Sequence, residues 1–303
     1  MYESGSDSFN SLRLIEKVAT LLQEDRAGLI TDVDGTISPI VTHPEDARVL
    51  PTAKAALKEL REQIALVAVV SGRAVNDARA MVNVEGLTYV GNHGLEVWSP
   101  DGPVVPPEAR PWVPRLAKVL DEIEKQVRCP GVTIENKGVT GSLHYRLALQ
   151  PDEARRELLE ILAHSVLASG LRLEEGRMVL NVLPPLTVSK GSAVSWLAKE
   201  HRLTRLVYLG DDVTDAHAFR ALKMLQETSG MGTLSIGVIG SETPLNVRQL
   251  ADEHVPSVEA VAEVLCGVAE ELRNTGGTMK SGAATVRRET HGHQSGQPDD
   301  GER

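Results

Sequence analysis

GLITDVDGT, Gly28 to Thr36, joins an apolar run to two carboxylates set two residues apart, and its reading decides the fold. Side chains alternate faces along an extended segment, so Asp32 and Asp34 can both face one metal ion while Val33 packs away from it. Gly35 allows a tight turn, and Thr36 adds a hydroxyl suited to a phosphate oxygen. The pattern predicts a buried strand, Leu29 to Thr31, that ends at a lip where phosphoryl chemistry can be built. An ordinary strand-ending turn uses the same residue types, so the rest of the chain has to separate the two readings.

Downstream, Thr52 to Gln63 is amphipathic at helical spacing, and IALVAVV, Ile64 to Val70, is apolar throughout before Ser71, Gly72 and Arg73. A strand, a helix and a second strand, with both strands apolar along their length, signal a parallel sheet covered on two faces. The same texture returns in LVYL, Leu206 to Leu209, ahead of Gly210, Asp211 and Asp212, and in SIGVI, Ser235 to Ile239. The expected fold is therefore α/β: a doubly wound, Rossmann-like parallel-sheet core.

Between these halves, residues 100 to 114 hold six prolines, which suits an extended connector. Helical spacing over Leu116 to Val127, strand-like stretches at Val132 to Asn136 and Ser142 to Leu149, and a helix over Asp152 to Ser169 then describe an inserted small α+β cap domain. The expected layout is an N-terminal helix within 1–25 (Ser11 to Glu24), a core formed by 26–106 and 178–272, and a cap at 107–177. The chain is expected to re-enter the core at Met178 to Leu183. From 274 to 303 large apolar groups nearly vanish, which predicts a disordered tail whose His291 and His293 are simply solvated.

The chain has 303 residues, an apolar fraction of 41% and a net charge of -10. It can bury a sizeable core, and its acidity argues against a general affinity for nucleic acid or anionic lipid. Cys129 and Cys266 lie far apart with no zinc-site spacing, so they read as free thiols of a reducing compartment. No segment approaches the length of a membrane span and no signal peptide is evident, so the expected location is cytoplasmic.

A phosphomonoester is dianionic near neutrality, and an anionic nucleophile approaching it needs a cation such as Mg²⁺ to offset repulsion. Asp32 can serve as both metal ligand and nucleophile, forming an aspartyl-phosphate that water later hydrolyses. Asp34 can give its backbone carbonyl to the metal and act as general acid and then base. Ser71 and the Gly72 amide can hold the transferring phosphoryl oxygens, although Ser71 as a plain helix N-cap explains that segment equally well. Lys190 can present an ammonium to the phosphate and to Asp32. In GDDVTDAHAF, Gly210 to Phe219, Asp211 can complete the metal site, while Asp212 and Asp215 orient its waters and Lys190. Acidic capping of the following helix would account for the same cluster, but a meeting with DVDGT at one sheet edge favours a divalent ion.

The ordered set DVDGT, Ser-Gly-Arg, lysine and GDDVTD resembles the haloacid dehalogenase superfamily of phosphatases. GNHGLE (Gly91 to Glu96), ENKGVTGSLHYR (Glu135 to Arg146) and the form of GDDVTDAHAF are similar to trehalose-6-phosphate phosphatases, over about Gly28 to Val268. That resemblance implies Mg²⁺-dependent hydrolysis of trehalose 6-phosphate. It also implies substrate contacts from Thr36, Gly72, Arg73, His93, Glu135, Lys137 and Asn181, with His144 and Arg146 either contacting sugar or bracing the cap. Functional coupling to a trehalose-6-phosphate synthase would follow. LNVLPP departs from the family pattern by placing Asn181 and Leu183 where an acid and often a base stand. That departure keeps another glycosyl phosphate, such as sucrose phosphate or a glycosyl-3-phosphoglycerate, as the alternative substrate. A sugar-phosphate sensor without turnover is disfavoured because Asp32, Asp34, Lys190 and Asp211 are all present.

Overall fold

The computed structural model describes residues 9–176, 178–240, 243 and 245–286. Asn10 opens α1 (Ser11–Leu22) by accepting the Arg13 amide on its side chain, and Leu14, Ile15, Val18, Ala19 and Leu22 are the buried face. The chain continues through β1 (Ala27–Thr31), α2 (Pro51–Arg61), β2 (Leu66–Val70), α3 (Val75–Val82), β3 (Thr88–Gly91), β4 (Glu96–Ser99) and β5 (Gly102–Val104). Next come α4 (Val113–Gln126), β6 (Thr133–Asn136), β7 (Gly141–His144), α5 (Pro151–Ser169), β8 (Arg172–Gly176) and β9 (Val179–Leu183). The last elements are α6 (Lys190–Glu200), β10 (Arg205–Gly210), α7 (Asp215–Ser229), β11 (Gly232–Val238), α8 (Leu245–Leu250), β12 (Glu253–Val255) and α9 (Val258–Val286).

An eight-stranded sheet runs β12-β11-β10-β1-β2-β3-β4-β5, parallel except for the antiparallel β4 and β5. Leu29, Val67, Val69, Val207 and Leu209 pack on one face with α1, α2 and α9, while Ile30, Ala68, Val70, Leu206 and Tyr208 pack on the other with α6 and α7. Burial on both faces is why the inner strands are continuous apolar runs, and each such Val, Leu or Ile contributes about 1.5–3 kcal/mol. From β1 the chain winds outward through β2 and β3, then returns to β10 on the other side. The crevice between β1 and β10 is therefore a topological switch point, where an open parallel sheet receives its ligand.

A second, antiparallel sheet runs β6-β7-β9-β8 and packs on α4 and α5. Met178 to Leu183 does not re-enter the core, because β9 is an inner strand of this second sheet, bonded to both β7 and β8. The return to the core follows Leu183. The proline-rich stretch is not merely a connector: β5 closes an edge hairpin in which Pro103 sits opposite Trp98, a sheet edge being where proline's missing N–H is tolerated. In addition, α9 continues beyond Arg273 to Val286, so part of the tail expected to lack structure is helical, while 287–303, with His291 and His293, lies outside the described residues. Cys129 and Cys266 are free thiols. Among the described residues no helix is long and apolar enough to cross a membrane.

Candidate active site

Four strand tips supply the core side of the site. β1 delivers Asp32, whose N–H donates to the Leu209 carbonyl at 2.9 Å, and this bond locks the tip of β1 beside β10 and Asp211. Gly35 takes φ +79, and a Cβ there would overlap the Asp211 carboxylate, so glycine is what lets the two acidic loops approach. β2 delivers Ser71, and β3 leads into Asn92 and His93. Ser189, with Ser192, makes a reciprocal capping box at the start of α6, which places Lys190 in its first turn.

Lys190 Nζ lies 3.0 Å from Asp32 Oδ1 and 2.7 Å from Asp215 Oδ1, with all three side chains buried. Asp215 is fully engaged: Tyr208 donates its hydroxyl to Oδ1 at 2.6 Å, and the Asp211 and Asp212 amides donate to Oδ2 at 3.1 and 3.0 Å. Oxygens of Asp32, Asp211 and Asp215 lie within 4.8 Å of one another. Of these, Asp215 has its lone pairs committed to donors, whereas buried Asp211 Oδ1 has no donor among the described residues. Asp211 and Asp32 are thus the carboxylates with capacity for a cation, and an all-oxygen donor set suits a hard divalent ion.

Burial alone would depress Lys190, but Asp215 and Asp32 overcome it and hold the ammonium protonated. One cation does not balance the surrounding acids. Burial lifts Asp32 to about 8 against the pull of Lys190, with Asp215 and Asp34 adding repulsion. Burial, then Asp215, Asp32 and Asp212, push Asp211 well above the usual carboxylate range. Excess buried negative charge is what a bound divalent ion relieves.

Arg73 grips Asp34 with both arms of its fork, Nε to Oδ2 at 2.6 Å and Nη2 to Oδ1 at 2.8 Å. Ser71 caps no helix; α3 begins after Ala74, and Ser71 Oγ accepts the Arg73 amide at 3.2 Å. His93, at φ +59, stacks against Gly72, where a Cβ would meet Cε1 at 2.6 Å. Burial, then Lys190, Lys137 and Arg172, hold His93 well below its ordinary range, so it stays neutral.

The second sheet supplies the opposite wall, and its pleat explains which residues do so. Thr133 and Glu135 of β6, Ser142 and His144 of β7, and Val179 and Asn181 of β9 recur at period two and line a cavity of about 490 Å³, while Leu143, Leu180 and Val182 pack toward the helices. Glu135 Oε2 accepts from His144 Nε2 at 3.1 Å and lies 3.6 Å from Lys137 Nζ. Burial raises the Glu135 pKa, but His144, Lys137 and Arg73 bring it below the ordinary value. Burial pushes Lys137 down, partly countered by Glu135. Ser142 donates to Asn181 Oδ1 at 2.8 Å.

Asp32, Asp34, Ser71, Gly72, Arg73, His93, Glu135, Lys137, Asn181, Lys190, Asp211 and Asp212 all line this one cavity. Asp215 sits behind it. Thr36 does not reach it, which corrects its expected phosphate contact: the turn at Gly35 carries the chain inward, and Thr36, Ile37 and Ser38 are all fully buried. Sequence reasoning missed the loop through Ile40 and His43, which borders the cavity, and Tyr208, which anchors Asp215.

A sequence model of the Trehalose-phosphatase family matches residues 30–248. A trehalose-phosphate phosphatase of Mycobacterium avium is 36% identical over 203 residues, covering 63% of this chain and 50% of that protein. Trehalose-phosphate phosphatase B of Arabidopsis thaliana is 29% identical over 242 residues, covering 74% of this chain and 63% of its own length. An uncharacterised glycosyl hydrolase of Mycobacterium tuberculosis is 32% identical over 223 residues, 71% of this chain but 17% of that much longer protein. The chain thus spans less than two thirds of the length of these curated relatives. In fold, the C-terminal domain of a C. albicans trehalose-6-phosphate phosphatase superposes with a TM-score of 0.71 at 20% identity, covering 89% of this chain and 99% of that one. The chain belongs to the trehalose-phosphatase family.

Proposed function

We propose that this member of the trehalose-phosphatase family is a Mg²⁺-dependent phosphatase that hydrolyses trehalose 6-phosphate to trehalose and phosphate, working through an aspartyl-phosphate on Asp32. Support comes above all from the cavity that Asp32, bonded to Lys190 and close to Asp211, shares with Glu135 and Lys137 of the second sheet. Asp32, Asp211 and the Asp34 carbonyl would hold the ion, with Asp212 and Asp215 orienting the set. When bound, Mg²⁺ supplies positive charge that offsets repulsion between the Asp32 carboxylate and the substrate dianion.

The remaining steps belong to the chain. Lys190 fixes the Asp32 carboxylate and adds its own charge beside the phosphoryl group. Ser71, the Gly72 amide and Arg73 receive phosphoryl oxygens. An incoming phosphate competes for the Arg73 fork and releases the Asp34 carboxylate, which takes up a proton from solvent, gives it to the departing sugar oxygen, and regains a proton from the water that attacks the intermediate. Glu135 and Lys137 give the sugar hydroxyls an acceptor and a donor, and the second sheet keeps bulk water off Asp32. Trehalose would be the product released, and an enzyme that makes trehalose 6-phosphate would supply the substrate.

A second reading rests on Asn181, whose oxygen is already occupied by Ser142, so that it offers the cavity an amide N–H in place of a carboxylate. Leu183 is fully buried and takes no part. Phosphate release from trehalose 6-phosphate, sucrose phosphate and a glycosyl-3-phosphoglycerate, with Mg²⁺ and after chelation, decides between the two. The expected result is a kcat/KM for trehalose 6-phosphate at least about tenfold above the others, a gap within the reach of one or two cavity contacts, and no turnover in chelator. Preference for another sugar phosphate, restored toward trehalose 6-phosphate by Asn181→Glu, would establish the second reading.

A further inference from the structure

We infer that Asn92 is a positioning residue that docks the β6–β7 hairpin onto the core and so sets Glu135 and Lys137 over Asp32. Asn92 is fully buried and holds φ +49, a left-handed conformation that asparagine tolerates better than most residues. Its backbone N–H donates to the Arg73 carbonyl at 2.7 Å, which ties it to the Ser71–Arg73 loop. Its side chain faces the hairpin tip. Oδ1 accepts the Thr140 hydroxyl at 2.5 Å, and Nδ2 donates to the Lys137 carbonyl at 3.2 Å. Glu96, at the start of β4, accepts the Val75 amide at 3.0 Å at the start of α3.

The hairpin answers from its own side. Lys137 Nζ donates to the Gly72 carbonyl at 3.1 Å, so the main chain of Lys137 rests on Asn92 while its side chain rests on the loop that Asn92 holds. The Lys137 amide bonds the Thr140 carbonyl at 2.9 Å, which makes the tip one closed unit. An acceptor for Thr140 and a donor for Lys137 are needed within one small planar group on left-handed backbone, and asparagine supplies both. Aspartate would lose the donor to the Lys137 carbonyl and bury a charge at the hairpin contact; glycine would keep the backbone and lose every side-chain bond.

This inference rests on the proposed sugar contacts of Glu135 and Lys137, and its test separates it from them. Asn92→Gly preserves the left-handed backbone and removes the amide, and Thr140→Val removes the matching hydroxyl from the hairpin alone. Each variant is assayed with trehalose 6-phosphate and with p-nitrophenyl phosphate, which has no sugar to recognise, and hydrogen exchange is followed over residues 133–140. Asn92→Gly is expected to lower kcat/KM for the sugar phosphate at least about tenfold, mainly through KM, and to speed exchange at the hairpin by a similar factor. Thr140→Val should act in the same direction with p-nitrophenyl phosphate turnover unchanged, and the double variant should lose less than the product of the two single losses. Parallel loss on both substrates in both variants, or unchanged hairpin exchange, overturns the inference. If the wild type does not turn over trehalose 6-phosphate, the substrate reading falls, and the exchange measurement still decides the docking role.

Discussion

Asp32→Asn is expected to lower kcat for phosphate release by at least about 10⁴-fold, the scale on which loss of a covalent nucleophile acts, while the protein stays folded. The amide is isosteric and keeps a partner for Lys190, and the backbone bond to Leu209 is untouched. It cannot attack phosphorus. The same substitution carries a signature in stability. Burial holds the folded-state pKa of Asp32 at about 8, against an ordinary value of 3.8, so between those limits the folded chain retains a proton that the unfolded chain has released. Stability from this group is complete below about pH 4 and is lost as pH rises toward 8, by the linkage between proton uptake and folding. In chelator, Asp32→Asn should therefore flatten the fall in unfolding free energy between pH 5 and 8. Retained turnover would show that the nucleophile lies elsewhere; an unchanged pH slope would show that Asp32 is not protonated by its surroundings.

Lys190→Met is expected to damage both stability and rate. Lys190 is 2% exposed and is the ammonium between Asp32 and Asp215, and a methionine of similar length leaves two buried carboxylates facing each other without it. Removing one member of a buried ionic set costs about 3–5 kcal/mol, which for a chain of this size lowers the thermal midpoint by roughly 10 °C. Turnover should fall about 10³-fold with Mg²⁺ saturating, because the charge beside the phosphoryl group is gone. Part of the lost stability should return with Mg²⁺, since a divalent ion relieves the same repulsion. Calorimetry with and without the ion checks this. A methionine variant as stable as wild type in chelator would contradict the charge balance drawn for the site.

What the sequence revealed follows from how each element is buried. β1, β2 and β10 are covered on both faces, so their apolar runs and the polar residues that end them were legible, and with them Asp32, Ser71 and Asp211. β9 misled for the same reason. Its VLNVL reads as another buried run, yet Leu180 and Val182 pack on helices while Val179 and Asn181 face the cavity, and no local signal says which sheet a strand joins. β8, RLEEG, has too many charges to announce itself. Tyr208 looked like one more apolar strand residue, because the reach of its hydroxyl to Asp215 depends on a helix seven residues on. Thr36 failed as a phosphate contact through turn geometry: Gly35 at φ +79 reverses the chain into the interior, a direction that composition does not encode. Asn92 lay within a recognised motif, but its pairing with Thr140 spans two sheets and appears only when they meet.

The stereochemical course at phosphorus distinguishes attack by Asp32 from direct attack by water. With the phosphorothioate analogue of trehalose 6-phosphate, made chiral at phosphorus by sulfur and two oxygen isotopes and hydrolysed in water carrying the third, the product thiophosphate is chiral, and attack by Asp32 followed by attack of water gives two in-line inversions. Overall retention of configuration is the expected result. Net inversion, which a single attack by water would give, would contradict it.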